Sequence, residues 1–280
     1  MAGMTPFVPG PKTEALSHSI GDYPDGIVIA VDKPYRWTSA DVVRKVKYAA
    51  VRHFGKKNLK VGHAGTLDPL ATGILLVCIG KATKKAEELQ RHEKEYVAGV
   101  TFGATTPSFD LEKDIDREYP VDGITVDALE KVLKGFVGEQ MQVAPLFSAK
   151  SVDGVRAYET ARKLFRQGLP VEDQGILTAS RINIYEIELL SMSEGIPKTQ
   201  KDDGKGRIRV ADISGHKLVT AMIRVRCSKG TYIRALARDL GEAMGSGAFL
   251  SSLRRTKNGD FNIEDAISLD KVTELFSENL

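Results

Sequence analysis

At 280 residues, with 42% hydrophobic and 28% charged side chains, the chain can bury a sizeable core and has the composition of an ordinary soluble globular protein. Its net charge of +3 says little by itself about partners, and its two cysteines, neither in a CxxC or Cys/His spacing, exclude a disulfide framework and a thiolate metal site. No apolar run approaches the ~20 residues of a membrane span and no secretory signal opens the chain, so a cytoplasmic protein with no membrane partner is expected.

Residues 1–24 are mixed in character, with Pro6, Pro9 and Pro11, and read as a flexible tail. Ile27 to Val31 reads as a buried strand. Ser39 is placed to cap a helix over 39–54, whose apolar positions Val42, Val46, Ala50 and Phe54 recur every four residues. The opposite face and the following turn carry Arg44, Lys45, Lys47, Arg52, Lys56, Lys57 and Lys60 with no acid among them. Segregated basic segments in a near-neutral protein fit a nucleic-acid face, although charge alone fits a solvated helix as well.

Ile74 to Ile79 is the next buried strand, followed by a lysine-rich helix near 81–92 and an alternating strand through Tyr96, Ala98, Val100 and Phe102. A helix opens at Thr125 with Leu129, Val132, Leu133 and Phe136 on one stripe. Another covers about 157–167 and stops at Gly168 and Pro170. Ile182, Ile184, Ile187 and Leu189 mark a strand; residues 191–216 read as a polar, mobile insertion. Val219 to Cys227 alternates with period two, which puts Arg224 and Arg226 on one face, and a helix from about Tyr232 to Met244 ends at Gly245. Strands and helices mix without strict βα alternation, which predicts an α+β fold.

One run stands out: Gly62-His63-Ala64-Gly65-Thr66-Leu67-Asp68-Pro69-Leu70-Ala71-Thr72-Gly73. The glycines permit backbone angles other residues avoid, and Pro69 pushes Asp68 toward an extended conformation at the mouth of the next strand. A carboxylate held there suits a nucleophile or an acid/base. The plain alternative, an Asp-Pro turn capping a strand, would be preferred for a lone Asp-Pro. His63, on the same short stretch, gains weight from that company. Asp32-Lys33-Pro34-Tyr35-Arg36-Trp37-Thr38-Ser39 reads as a turn able to brace the Asp68 loop. Lys94-Glu95-Tyr96 offers a ring for stacking on a base, Gly230-Thr231-Tyr232-Ile233-Arg234 an arginine able to pair with a carboxylate, and Leu253-Arg254-Arg255-Thr256 an apolar contact with two phosphate ligands. Gly80-Lys81-Ala82-Thr83 fails the P-loop pattern.

Taken in order, DKPYRWTS, GHAGTLDPLATG, KEY, CSKGTYIRALARDLG and LRRT resemble the tRNA pseudouridine synthase family of the TruB type from about residue 26 to 270. The resemblance implies a pseudouridine synthase fold, a mixed, mainly antiparallel sheet flanked by helices with the active-site cleft across the sheet. It also implies isomerisation of the T-loop uridine at tRNA position 55. By that resemblance Asp68 is the catalytic carboxylate, Tyr96 stacks on the flipped uracil and Arg234 pairs with Asp68. Tyr232 and Leu253 line the pocket, His63 assists flipping, and Lys33 with Pro34 supports the loop. Arg254, Arg255, Lys56, Lys57 and Lys60 are expected on RNA. The reaction needs no redox partner, metal or cofactor, and a monomer acting on the T arm of tRNA is expected.

Within that resemblance the domains expected are a 1–24 tail, a 25–270 catalytic domain with its 191–216 insertion, and a 271–280 tail without a full PUA domain. Two readings compete: a catalytic subunit of a guide-RNA-directed particle, and a non-catalytic RNA chaperone on the same fold. The chain departs from the family pattern at Arg36, which stands where DKPxGxTS has glycine, and at Lys150, one position early in the SAxK segment.

Overall fold

A computed structural model describes residues 4–148, 151–152, 155–167, 177–196, 204 and 206–277. The chain forms β1 (Ile27–Lys33), α1 (Ser39–His53), β2 (Val61–Ala64), β3 (Ala71–Ile79), a 3-10 turn (Gly80–Lys85), α2 (Ala86–Arg91) and β4 (Lys94–Phe102). Short β5 (Ala104–Thr105) and β6 (Arg117–Glu118), α3 (Val126–Gly135), β7 (Gly138–Gln142), short β8 (Ser151–Val152) and β9 (Val155–Arg156), and α4 (Ala157–Arg166) follow. The remainder is β10 (Ser180–Glu194), β11 (Val219–Cys227), α5 (Ile233–Ala243), β12 (Ala248–Asn258), short β13 (Phe261–Asn262) and β14 (Ile267–Ser268), and α6 (Leu269–Leu275). This is the expected α+β class, with most strand pairs antiparallel.

Two compact units result: Met1–Glu95 with Gln200–Ile208 and Arg254–Leu280, and Tyr96–Thr199 with Arg209–Leu253. In the first, strand order is β14-β1-β3-β12, with β2 also on β3. β1 and β3 pair antiparallel from Ile27↔Ile79 to Lys33↔Gly73, and every residue of β3 is buried. That explains why β3 reads as a continuous apolar run. Val42, Val46 and Ala50 of α1 are fully buried, leaving the basic face outward.

In the second unit the order is β12-β4-β11-β10-β7, so β4 and β12 contribute residues to both units. β10 pairs antiparallel with β11 and β7, with register shifts at Ile184/Glu186 and Leu189/Ser191. Those shifts explain why the sequence alternation of β10 breaks after Ile184. The arginines of β11 face acids on β10, Arg224 to Glu188 at 2.6 Å and Arg226 to Glu186 at 3.6 Å.

Four readings need correction. The cap of α1 is Thr38, whose side chain accepts from Asp41 N in a reciprocal capping box; Ser39 is already helical and buried. Residues 4–24 are not a bare tail: Phe7 bridges to Ile27, and Leu16 is buried. The end of the chain likewise carries α6, which buries Leu269, Val272 and Leu275. The first four residues of the 191–216 insertion belong to β10. The stop signals Gly168 and Pro170, and Lys150, lie outside the described residues.

Candidate active site

Asp68 sits half-buried in the short connection from β2 to β3. Its backbone is fixed by its neighbours in the first unit. Ser39 Oγ donates to the Leu67 carbonyl at 3.1 Å and accepts from Leu67 N at 2.9 Å, gripping the residue before Asp68. Lys33 Nζ donates to the Pro69 carbonyl at 3.1 Å, gripping the residue after it. The same ammonium donates to the carbonyls of Pro34 at 2.9 Å and Trp37 at 2.6 Å, so all three of its hydrogens have acceptors. Buried with no exposure, Lys33 has its pKa lowered to about 7, chiefly by burial and also by the Arg255 charge, against the opposing pull of Asp68, Asp32 and Asp41.

Arg255 supplies the third grip. Its Nε donates to the Ile74 carbonyl at 2.7 Å and its Nη2 to Gly65 at 3.1 Å. Gly73, at φ 94°, lies so close that a Cβ there would stand 2.2 Å from the Arg255 carbonyl oxygen, so only glycine fits. His63 is on strand β2, opposite Val77, not on the loop, and Gly62 beside it needs no special backbone angle. Burial, reinforced by Arg255, lowers the His63 pKa from its usual 6.5, so the ring is neutral at pH 7. A neutral imidazole suits a space-filling role better than a phosphate ligand.

The second unit has its own organised centre. Arg234, buried on the first turn of α5, donates from Nη1 to the Ser108 carbonyl at 3.1 Å and from Nη2 to Phe147 at 2.9 Å. Its Nε lies 3.6 Å from Asp110 Oδ2, both side chains 5% exposed. Asp110 in turn accepts from Ser108 Oγ at 2.6 Å and Glu112 N at 2.9 Å. Tyr232, half-buried at the N-cap of α5, exchanges backbone bonds with the Gln142 side chain, N to Oε1 at 2.9 Å and Nε2 to O at 3.2 Å. Tyr96 and Leu253 are buried on β4 and β12 at 8% and 6% exposure. Asp110 has no role in the sequence reading; its setting between Phe109 and Leu111 was the available signal.

Residues 52–233 match the family described as TruB family pseudouridylate synthase (N terminal domain), and residues 234–279 match the tRNA pseudouridylate synthase B C-terminal domain. The chain belongs to the TruB family.

Among TruB-family relatives, "tRNA pseudouridine synthase B" of Phocaeicola vulgatus is 48% identical over 253 residues, 90% of this chain and 94% of that one. The protein of the same name from Bacteroides thetaiotaomicron is 49% identical over the same shares, and that from Deinococcus radiodurans 38%, over 88% of this chain and 78% of that one. Of solved structures, a Cbf5-Nop10-Gar1 complex matches with TM-score 0.56 at 29% identity, over 88% of this chain and 53% of that one. An H/ACA RNP bound to a substrate RNA containing 2'-deoxyuridine matches with TM-score 0.54 at 27% identity, over 88% and 52%. The TruB-family chain thus spans about half the length of those solved chains.

The basic residues of this TruB-family chain divide by burial. Lys56, Lys57 and Lys60 are exposed in the turn after α1. Arg254 is 41% exposed in its side chain and makes a two-pronged pair with Asp32, at 3.1 and 2.8 Å. Arg255 corrects the expectation of an RNA contact: it is 1% exposed and spent on backbone carbonyls. Neighbours on a strand point to opposite faces, so Arg254 and Arg255 cannot both meet one ligand. Among the described residues no group of three His, Cys, Asp or Glu is placed to hold a metal, and no helix is long and apolar enough to cross a membrane.

Proposed function

We propose that this protein is a tRNA pseudouridine synthase, converting the T-loop uridine at position 55 to pseudouridine with Asp68 as the catalytic carboxylate. The observation that carries the reading is the 48–49% identity, over 94% of their length, to relatives named tRNA pseudouridine synthase B. A guide-RNA-directed particle is the weaker reading, because its solved counterparts are 27–29% identical and about twice as long. In the reaction the bond between the anomeric carbon and N1 breaks, the uracil turns, and a bond forms to C5. The C5 proton is lost and N1 gains one, so the step is an isomerisation that balances without redox or hydrolysis.

Each assigned residue has a matching physical task. Asp68, carried on a loop gripped at Gly65, Leu67 and Pro69, meets the nucleotide without having to be ordered first. Arg234, whose guanidinium plane is held by the Ser108 and Phe147 carbonyls and by Asp110, is assigned to the Asp68 carboxylate by the family resemblance alone. Tyr96 stacks on the extruded base, returning ~1–3 kcal/mol of the few kcal/mol that flipping costs. Tyr232 and Leu253 line the base pocket, and His63 fills space in the T loop. Lys56, Lys57, Lys60 and Arg254 meet phosphates, so the T-arm shape sets specificity. The protein works as a cytoplasmic monomer.

The test is pseudouridine formation in single turnover, by purified protein alone without guide RNA, on tRNA and on a T-arm hairpin. Wild type should modify both at one position, and Asp68→Asn should bind tRNA and form none. Turnover by Asp68→Asn at near wild-type rate, or a requirement for added guide RNA, would overturn the reading.

A further inference from the structure

Arg36 is where this chain breaks the DKPxGxTS pattern, and the structure shows how the break is accommodated. Its backbone keeps the left-handed conformation a glycine would take, at φ 63°, which costs a non-glycine residue about 1 kcal/mol or more. Such strain persists only where the surroundings hold it. Here they come from a remote stretch of chain, the far side of the 191–216 insertion. Arg36 Nε donates to the Ile208 carbonyl at 2.7 Å across 172 positions of sequence. Gly206 lies flat on the same residue: a Cβ on Gly206 would stand 2.1 Å from Arg36 Cβ and 3.0 Å from its carbonyl oxygen. Close approach of two backbones therefore demands glycine at 206, just as the turn has lost its glycine at 36.

The anchored turn is not peripheral. Arg36 sits between Pro34 and Trp37, whose carbonyls take two of the three hydrogens of buried Lys33, and the third goes to Pro69 beside Asp68. A shift of the turn moves two of the three acceptors that aim this ammonium. Water entry there would also release the burial that holds the Lys33 pKa near 7.

We propose that residues 206–208 form a strap that positions the catalytic loop: docked on Arg36, they fix the Pro34–Trp37 turn and, through Lys33, the backbone next to Asp68. Arg36, Gly206 and Ile208 are thus positioning residues for the reaction. The inference rests on Asp68 being the catalytic carboxylate.

The experiment compares Gly206→Ala, Arg36→Gly, Arg36→Lys and the double variant Arg36→Gly/Gly206→Ala in single turnover on a tRNA transcript at saturating protein, with affinity measured separately. Gly206→Ala and Arg36→Gly should each slow the chemical step at least tenfold while affinity for tRNA stays within twofold, even though Arg36→Gly relieves the left-handed strain. Arg36→Lys keeps a donor for the Ile208 carbonyl and should retain more of the rate than Arg36→Gly. The double variant should be no slower than the slower single one, because both break the same contact. A strap serving only stability would lower the fraction of active protein and leave the rate constant of the active fraction unchanged, which would overturn the proposal. So would rates within twofold of wild type for both single variants, or additive losses in the double. Asp68→Asn, run alongside, separates the two levels: if it turns over, the assignment of the carboxylate fails, and if it is inert while the strap variants are unimpaired, the strap alone fails.

Discussion

Replacing Ser39 by alanine separates a helix cap from a loop clamp. Ser39 is 3% exposed, and its hydroxyl satisfies both backbone groups of Leu67, at 2.9 and 3.1 Å. Removing it leaves a buried N–H and a buried carbonyl without that partner, at about 1–3 kcal/mol each. Alanine in the first turn of α1 returns about 0.5 kcal/mol through helix propensity, leaving a net loss of roughly 2–5 kcal/mol. Thr38→Ala, one residue away, removes the capping box instead and should cost about 1 kcal/mol without touching Leu67.

Stability and rate should therefore split. In urea unfolding Ser39→Ala loses more than Thr38→Ala. In single turnover with saturating protein, below the unfolding transition, Ser39→Ala should slow pseudouridine formation at least tenfold, or ~1.4 kcal/mol in the barrier. Thr38→Ala should stay within twofold of wild type, because the residue before Asp68 keeps its clamp. A Ser39→Ala protein that is destabilised yet turns over at the wild-type rate would refute the reasoning, as would equal slowing by both variants.

Two further outcomes follow from the same geometry. Lys33 has a pKa near 7 in the fold against 10.5 when unfolded, so between those values the unfolded chain holds a proton that the fold has lost, and stability rises with pH across that window by up to about 1.4 kcal/mol per unit. Urea titrations from pH 7 to 9.5 should show a shallower rise in Lys33→Met than in wild type; parallel slopes would remove Lys33 as the source. Neutralising Lys56, Lys57 and Lys60 to glutamine should reduce the slope of log affinity against log salt by about 2–3, at 0.7–0.9 per phosphate contact, whereas Arg255→Met should lower stability and leave that slope unchanged. An unchanged slope in the triple variant returns the lysines to a solvated face.

Legibility in the sequence followed how far apart the cause of each feature lies. β3, α1, α3, α5 and β11 were readable because their periodicity records which face is buried, and that is local information. The break in β10 was not, since a register shift is set by the partner strand. The loop placement of Asp68 and the bracing turn at Lys33-Pro34 were legible from residue type and order, because proline biases the residue before it away from helix toward an extended or turn conformation. The clamp by Ser39 was misread as a cap because serine before a helix has two possible uses, and only the position of Leu67, 28 residues on, decides between them. Arg254 and Arg255 carried a usable warning, as consecutive strand residues face opposite ways, so one of the pair had to turn inward. Which one did so depends on Gly73 opening the space beside Arg255 and on Asp32 waiting for Arg254. Arg36 is the instructive extreme. A lone departure from glycine is accommodated only where the chain returns 172 residues later, with a carbonyl and a glycine beside it to receive the arginine. Where a local rule is broken, the compensation sits wherever the fold brings another segment alongside, and there a sequence read in order has the least to say.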